Sequence, residues 1–211
     1  VAIDTYANLQ TAVLAWLNRA GDSDAAVRCP DWITLAEDEL RMALNRLTVR
    51  QGEVVNAAFA ISAEYTALPA GFTRLRAIKI NANPDRPLDY VPPQVADRWG
   101  KLETASTPRL YTIQNNQLRV FPQPDTAYTA TITYFALPSL SVSNTSNWLL
   151  AAHPKLYLSA ALAEAFGYYD DSAKYMGASA ERDRMLTAIA TVDGSDKQGS
   201  SMRMRVDSGT P

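Results

Sequence analysis

The segment from Pro108 to Leu150 constrains this chain most, because its periodicity is that of a compact β unit that hands over directly to a helix. Leu110–Ile113 and Leu118–Phe121 are short strand-like runs. Between them lies Gln114-Asn115-Asn116-Gln117, and Asn tolerates the left-handed backbone a tight hairpin needs. Pro122-Gln123-Pro124-Asp125 then blocks a helix and forces a turn. From Ala127 to Phe135 the residues alternate strictly, with Tyr128, Ala130, Ile132 and Tyr134 on one side. Thr129, Thr131, Thr133 and Phe135 take the other. A Thr-lined face suits a strand whose outer side meets water or another protein. The segment carries no evident catalytic chemistry.

Helical spacing brackets this β region on both sides. Asp4 can cap a first helix reaching about Arg19, with Tyr6, Leu9, Val13, Trp16 and Leu17 as its apolar stripe. Gly21–Asp24 reads as a polar turn. A second helix is expected to open at Pro30-Asp31, carrying Ile33, Ala36, Leu40, Leu44 and Leu47. From Gln51 the period changes. Val54–Ile61, Glu64–Leu68 and Leu75–Ile80 read as strands, Asn83–Pro87 as a turn, and Leu88–Val91 as a strand pairing back across it. Pro92-Pro93 opens a short helix with Val95, Trp99 and Leu102. Helix returns at His153-Pro154 with Leu156, Tyr157, Ala160, Ala163 and Phe166. Asp170-Asp171-Ser172 caps a last helix to about Val192. From Asp193 onward the chain turns Gly/Ser/Asp/Lys/Arg-rich, the composition of a flexible tail.

The expected fold is therefore α+β. Residues 1–50 and 148–192 form a four-helix bundle, 51–147 an inserted antiparallel β domain, and 193–211 an extended C-terminal tail. With 211 residues and 47% apolar content the chain can bury a sizeable core. The formal net charge of −2 argues against a strong nucleic-acid binder, which carries a basic face. One cysteine, Cys29, rules out an intrachain disulfide and suits a reducing compartment. The opening VAIDTYANLQ has no basic region followed by an apolar core, so it does not read as a signal peptide. Trp148–Tyr169, the most apolar stretch, is broken by His153, Lys155 and Glu164, so no membrane span is expected.

Groups able to do chemistry are few. His153, the single histidine, would have to serve any hydrolase, but it sits at a helix start without a nucleophile elbow. Cys29 lacks an adjacent base and reads as a packed thiol. Asp170-Asp171 reads as a helix cap favoured by the helix dipole. Glu37-Asp38-Glu39 reads as the solvated flank of an amphipathic helix. Neither cluster has calcium-loop spacing, and no phosphate-binding glycine motif occurs, so no cofactor or metal is expected. Two non-structural readings remain as alternatives: a hydrolase using His153, and a glycan-binding β module stacking sugars on Trp99, Tyr111, Tyr128 or Tyr134. In the tail, Met202-Arg203-Met204-Arg205-Val206 alternates after a Gly/Ser linker, and an extended segment that adds a strand or fills a groove would fit it.

In order and spacing the chain resembles the head-to-tail adaptors of tailed bacteriophages, the connector, tail tubular A and head-completion proteins. The resemblance runs from Ala2–Leu9 and Trp16–Arg19 through Leu35-Ala36-Glu37, with Arg41 and Arg46 after it, to Leu68–Phe72. It is strongest in Tyr111–Ile113, Pro122–Asp125, Tyr128–Ala136, and Asn147–Leu150 ahead of Pro154–Leu158. The Arg/Met tail departs from that pattern. The resemblance implies a virion protein of the neck, made in the host cytoplasm, forming a ring of about twelve copies with heterologous interfaces. It also implies a tail that reaches the portal through Met202–Val206, and a β domain facing the tail nozzle or a second adaptor. Thr129, Thr131, Thr133, Asn115 and Asn116 are its candidate contact surface. Duplex DNA would pass through the lumen, and a weakly acidic wall would not hold phosphates against transit.

Overall fold

The computed structural model describes residues 2–47, 52–99 and 104–198. In chain order its elements are α1 (Tyr6–Trp16), α2 (Ser23–Leu47), β1 (Glu53–Ile61), β2 (Tyr65–Ala67), β3 (Phe72–Ile80), β4 (Arg86–Pro87), β5 (Asp89–Tyr90), α3 (Pro93–Trp99), β6 (Leu110–Gln114), β7 (Gln117–Phe121), β8 (Tyr128–Ala136), α4 (Trp148–Ala152), α5 (Pro154–Tyr168) and α6 (Ser172–Gln198). The chain divides into a helical unit, Val1–Gln51 with Ser139–Pro211, and a β unit, Gly52–Pro138. Ser139–Asn147 thus groups with the helices. It is helix-bound because Glu37 on α2 holds its backbone at Leu140.

In the helical unit, α5 is central. Leu156–Ala163 is buried around nearly the whole circumference, as expected for a helix apolar on every side. Its alanines leave α1, α2, α4 and α6 room to approach. Two helices precede the β unit and three follow it, since Asn147 caps the extra short helix α4 by accepting from the Leu150 N–H at 2.9 Å.

Four boundaries differ from the sequence expectation. The N-cap of α1 is Thr5, whose hydroxyl accepts from the Asn8 N–H at 3.3 Å, while Asp4 bonds the Asn8 side chain. That helix stops at Trp16 because Asn18 turns left-handed at φ 56°, and the Arg19 N–H then closes on the Leu14 carbonyl, a Schellman end. α2 begins at Ser23, seven residues before Pro30, since the Asp22 carboxylate caps the N–H groups of Asp24 and Ala25. Pro30 sits inside the helix and forgoes one backbone bond there. α6 continues to Gln198, beyond Val192.

The β unit is two four-stranded sheets, β1-β8-β3-β4 and β2-β7-β6-β5, whose inner faces share one core. Phe59, Ile61, Ile78, Ile80 and Ile132 come from the first, Leu118 and Val120 from the second. Each such fully buried side chain contributes roughly 1.5–3 kcal/mol. Pairing is antiparallel except between β5 and β6. The expected return of Leu88–Val91 onto β3 is thereby split. Arg86–Pro87 pairs with β3, while Asp89–Tyr90 crosses to β6 in the other sheet. Burial of the Leu88 side chain in the shared core marks the crossing point. Leu102 lies outside the described residues.

Candidate functional site

The groups singled out for chemistry occupy structural positions. His153 joins α4 to α5, and its carbonyl accepts from the Leu156 N–H at 3.0 Å. Its ring is half-buried, and burial lowers its pKa, which favours the neutral form. Cys29 is buried in α2, donates weakly to the Gln10 carbonyl at 3.8 Å, and is pushed up to about 11 by burial. A thiol held that high is a poor nucleophile at neutral pH. Asp171 caps α6 through the Lys174 N–H, while Asp170 at φ 57° ends α5. Among the described residues no group of His, Cys, Asp and Glu side chains could hold a metal ion. No described helix is long and apolar enough to cross a membrane.

The carboxylates of α2 correct the sequence reading. Glu37 is 2% exposed rather than solvated. Its Oε1 accepts from the Leu140 N–H at 2.8 Å and from the Tyr157 hydroxyl at 3.0 Å. The Tyr157 hydroxyl accepts in turn from the Asn147 amide at 2.7 Å, so one directed chain of bonds links α2, α5 and the cap of α4. Arg41 adds a bond to the Ser139 hydroxyl at 2.9 Å. Burial raises the Glu37 pKa against the lowering effect of these bonds. Burial, then the Glu37 charge, raises that of Tyr157 as well. The i, i+4 pattern of α2 marks Glu37 as a member of the buried stripe beside Ile33, Ala36 and Leu40. Its charge alone directed the reading to solvent.

The proposed contact residues of the β unit separate into two places. Thr129, Thr131 and Thr133 stand on the outer face of β8, the alternation of that strand being as expected, with Ala130, Ile132 and Tyr134 buried. Neighbouring strands continue this face in small residues, Ala60 opposite Thr129 and Val55 opposite Thr133. The Thr131 hydroxyl bonds Asn81 at 2.7 Å. Asn115 and Asn116 instead form the β6–β7 turn, both at positive φ, in the other sheet. The alternation of Ala127–Phe135 gave the faces of β8 but not which strands share a sheet. The aromatic residues considered for sugar stacking are mostly engaged. Tyr134 is buried and stacked on Phe72 at 5.7 Å. The Tyr128 hydroxyl lies between Asp125 and Thr107. Tyr111 meets Tyr90 edge-on. The side chain of Trp99 and the segment Met202, Arg203, Met204, Arg205 and Val206 lie outside the described residues.

In the helical unit an almost wholly apolar groove of about 640 Å³ opens between α5 and α6. Leu158, Leu162 and Phe166 form its floor, Trp16 and Ile3 one wall, and Lys155 and Lys174 stand at its ends. Trp16, expected in the buried stripe of α1, is 68% exposed. Leu9 and Val13 alone of that stripe are buried, and Trp16 is the last residue of α1.

The described residues form a helical unit bearing a β insert, with an apolar groove on the first and a Thr-lined outer strand face on the second. The family model for the SU10 adaptor protein matches residues 4–206, and the chain belongs to that family of phage head-to-tail adaptors. This is a family of structural phage proteins and not of enzymes. Among curated proteins no match is found.

Proposed function

We propose that the protein joins head to tail in the phage neck as a ring of about twelve copies below the portal, connecting it to the tail nozzle or a second adaptor. Membership of the adaptor family over residues 4–206 carries this reading. The ring lines the channel through which duplex DNA is retained after packaging and later ejected. The net charge of −2 supports that role, because a chain with no net positive charge does not hold passing phosphates strongly. Residues 1–50 and 148–192 build the ring wall as a helical bundle, and the β insert faces the next component through its Thr surface and the Asn115-Asn116 turn. The segment Met202–Val206 docks on the portal.

Imaging intact particles labelled at the C-terminus tests the placement. Label at the portal side of the neck is the expected result, and label elsewhere on the virion overturns it. Deleting residues 193–211 is expected to abolish co-purification with portal rings. Unchanged binding would remove the docking role from the tail.

A further inference from the structure

The exposed stripe of α2 and the groove between α5 and α6 have matching chemistry on opposite sides of one helix. Val27, Asp31, Leu35, Asp38 and Met42 follow each other at steps of three and four residues, so they share one face. All are exposed, and the three apolar members are 76%, 52% and 60% accessible. An amphipathic helix already packed on its other side does not need such a stripe for its own fold. The groove offers an apolar floor, with Lys155 and Lys174 at its ends in exposed surface pairs to Glu181, which also lines the groove, and to Asp171. Its floor, Lys155 to Phe166, is about 16 Å long, and Leu35 to Met42 spans about 10 Å, so both anchors fit within it.

The two surfaces cannot meet within one chain. On α5, Leu162 faces the groove, whereas Glu164 and Tyr168 face the cleft shared with α2. Leu162 and Glu164 are about 200° apart around the helix. Opposite-facing, unlike and mutually complementary patches form a heterologous contact, which propagates from copy to copy. We infer that the α2 ridge of one copy seats in the α5–α6 groove of the next, with Leu35 and Met42 on the apolar floor. Trp16, the largest exposed apolar side chain of the groove wall, closes over the ridge. This deepens the ring reading above and rests on it, because it names the seam.

The test uses two full-length variants. Leu35→Glu with Met42→Glu disables the ridge, and Trp16→Glu with Lys174→Glu disables the groove. All four side chains are exposed, so native melting curves are expected. Gly177→Phe is a second groove variant, since Gly177 lines the groove and a Cβ added there meets no atom within 4 Å. By sedimentation and native mass spectrometry the wild-type chain is expected to form assemblies larger than dimers. Each variant alone is expected to need at least about tenfold higher concentration to associate, the usual loss when central anchors are removed. Mixed together, ridge and groove variants retain one good ridge and one good groove, and are expected to stop at a one-to-one dimer. Wild-type assembly with unaffected variants would overturn the seam and leave the ring standing. A wild-type chain that stays monomeric, or closes as a two-fold dimer, would overturn both.

Discussion

A single carboxylate shows how burial rewrites a residue's role. Glu37 holds Leu140 and Tyr157 in a site from which water is excluded, and its pKa is raised chiefly by that burial. The folded state therefore keeps its proton to higher pH than the unfolded chain does. Its contribution to stability is full below about pH 4.3, the ordinary glutamate value, and is lost as pH rises through the higher folded value. Subtracting the stability of Glu37→Gln from that of the wild type at each pH isolates this effect from the many surface carboxylates. The difference is expected to move against the wild type as pH rises over that window, read from urea melts. A flat difference would mean that Glu37 stays hydrated. Tyr157→Phe, which leaves Glu37 and Asn147 each short of a partner, is expected to cost about 1–3 kcal/mol.

At the scale of elements, turns are where local chemistry and tertiary contact coincide. The Asn115-Asn116 turn was legible because two consecutive left-handed residues in a two-residue hairpin favour Asn. Gly71, between β2 and β3, has a second reason for its identity. It sits at φ +70°, and an added Cβ would lie 2.9 Å from the backbone of Pro138. Its carbonyl accepts from the Leu137 N–H at 3.1 Å, so the turn is braced by the chain end that leaves β8. Gly71→Ala is expected to lower stability by about 2 kcal/mol, from strained φ and the clash together. Thermal unfolding of the variant measures it, and a loss below a few tenths would mean the backbone yields freely. By contrast, Pro30 misled the boundary of α2, because a proline inside a helix is locally unfavourable yet tolerated once Ala25, Cys29, Trp32 and Ile33 are buried around it.

For the whole molecule, the interruption of one helical unit by a β unit matters most. Residues 52–138 contain their own two-sheet core, and among the described residues every strand lies within them. Expressed alone, this segment is expected to fold, with dispersed amide resonances and one cooperative melting transition. A random-coil spectrum would show that its core depends on the helices. The helical unit is built from sequence segments separated by the whole insert, and the Glu37–Leu140 and Glu37–Tyr157 bonds join them across that interval.

By itself the sequence determined the class of each long element and the face that β8 buries, because a period of two or 3.6 is set by local backbone geometry. It also determined the order of helix, β insert and helix, and the family pattern that runs through them. The tertiary structure alone decided that Glu37 is buried, that Asp89–Tyr90 leaves its neighbour to pair with β6, and that Trp16 stands in solvent beside a groove. Each of these depends on which distant segment arrives at a given face. Residues 37 and 157, or 89 and 110, lie too far apart in the chain for any local preference to encode their meeting. Their contact is fixed only when the packed core chooses among the pairings that the pattern leaves equal.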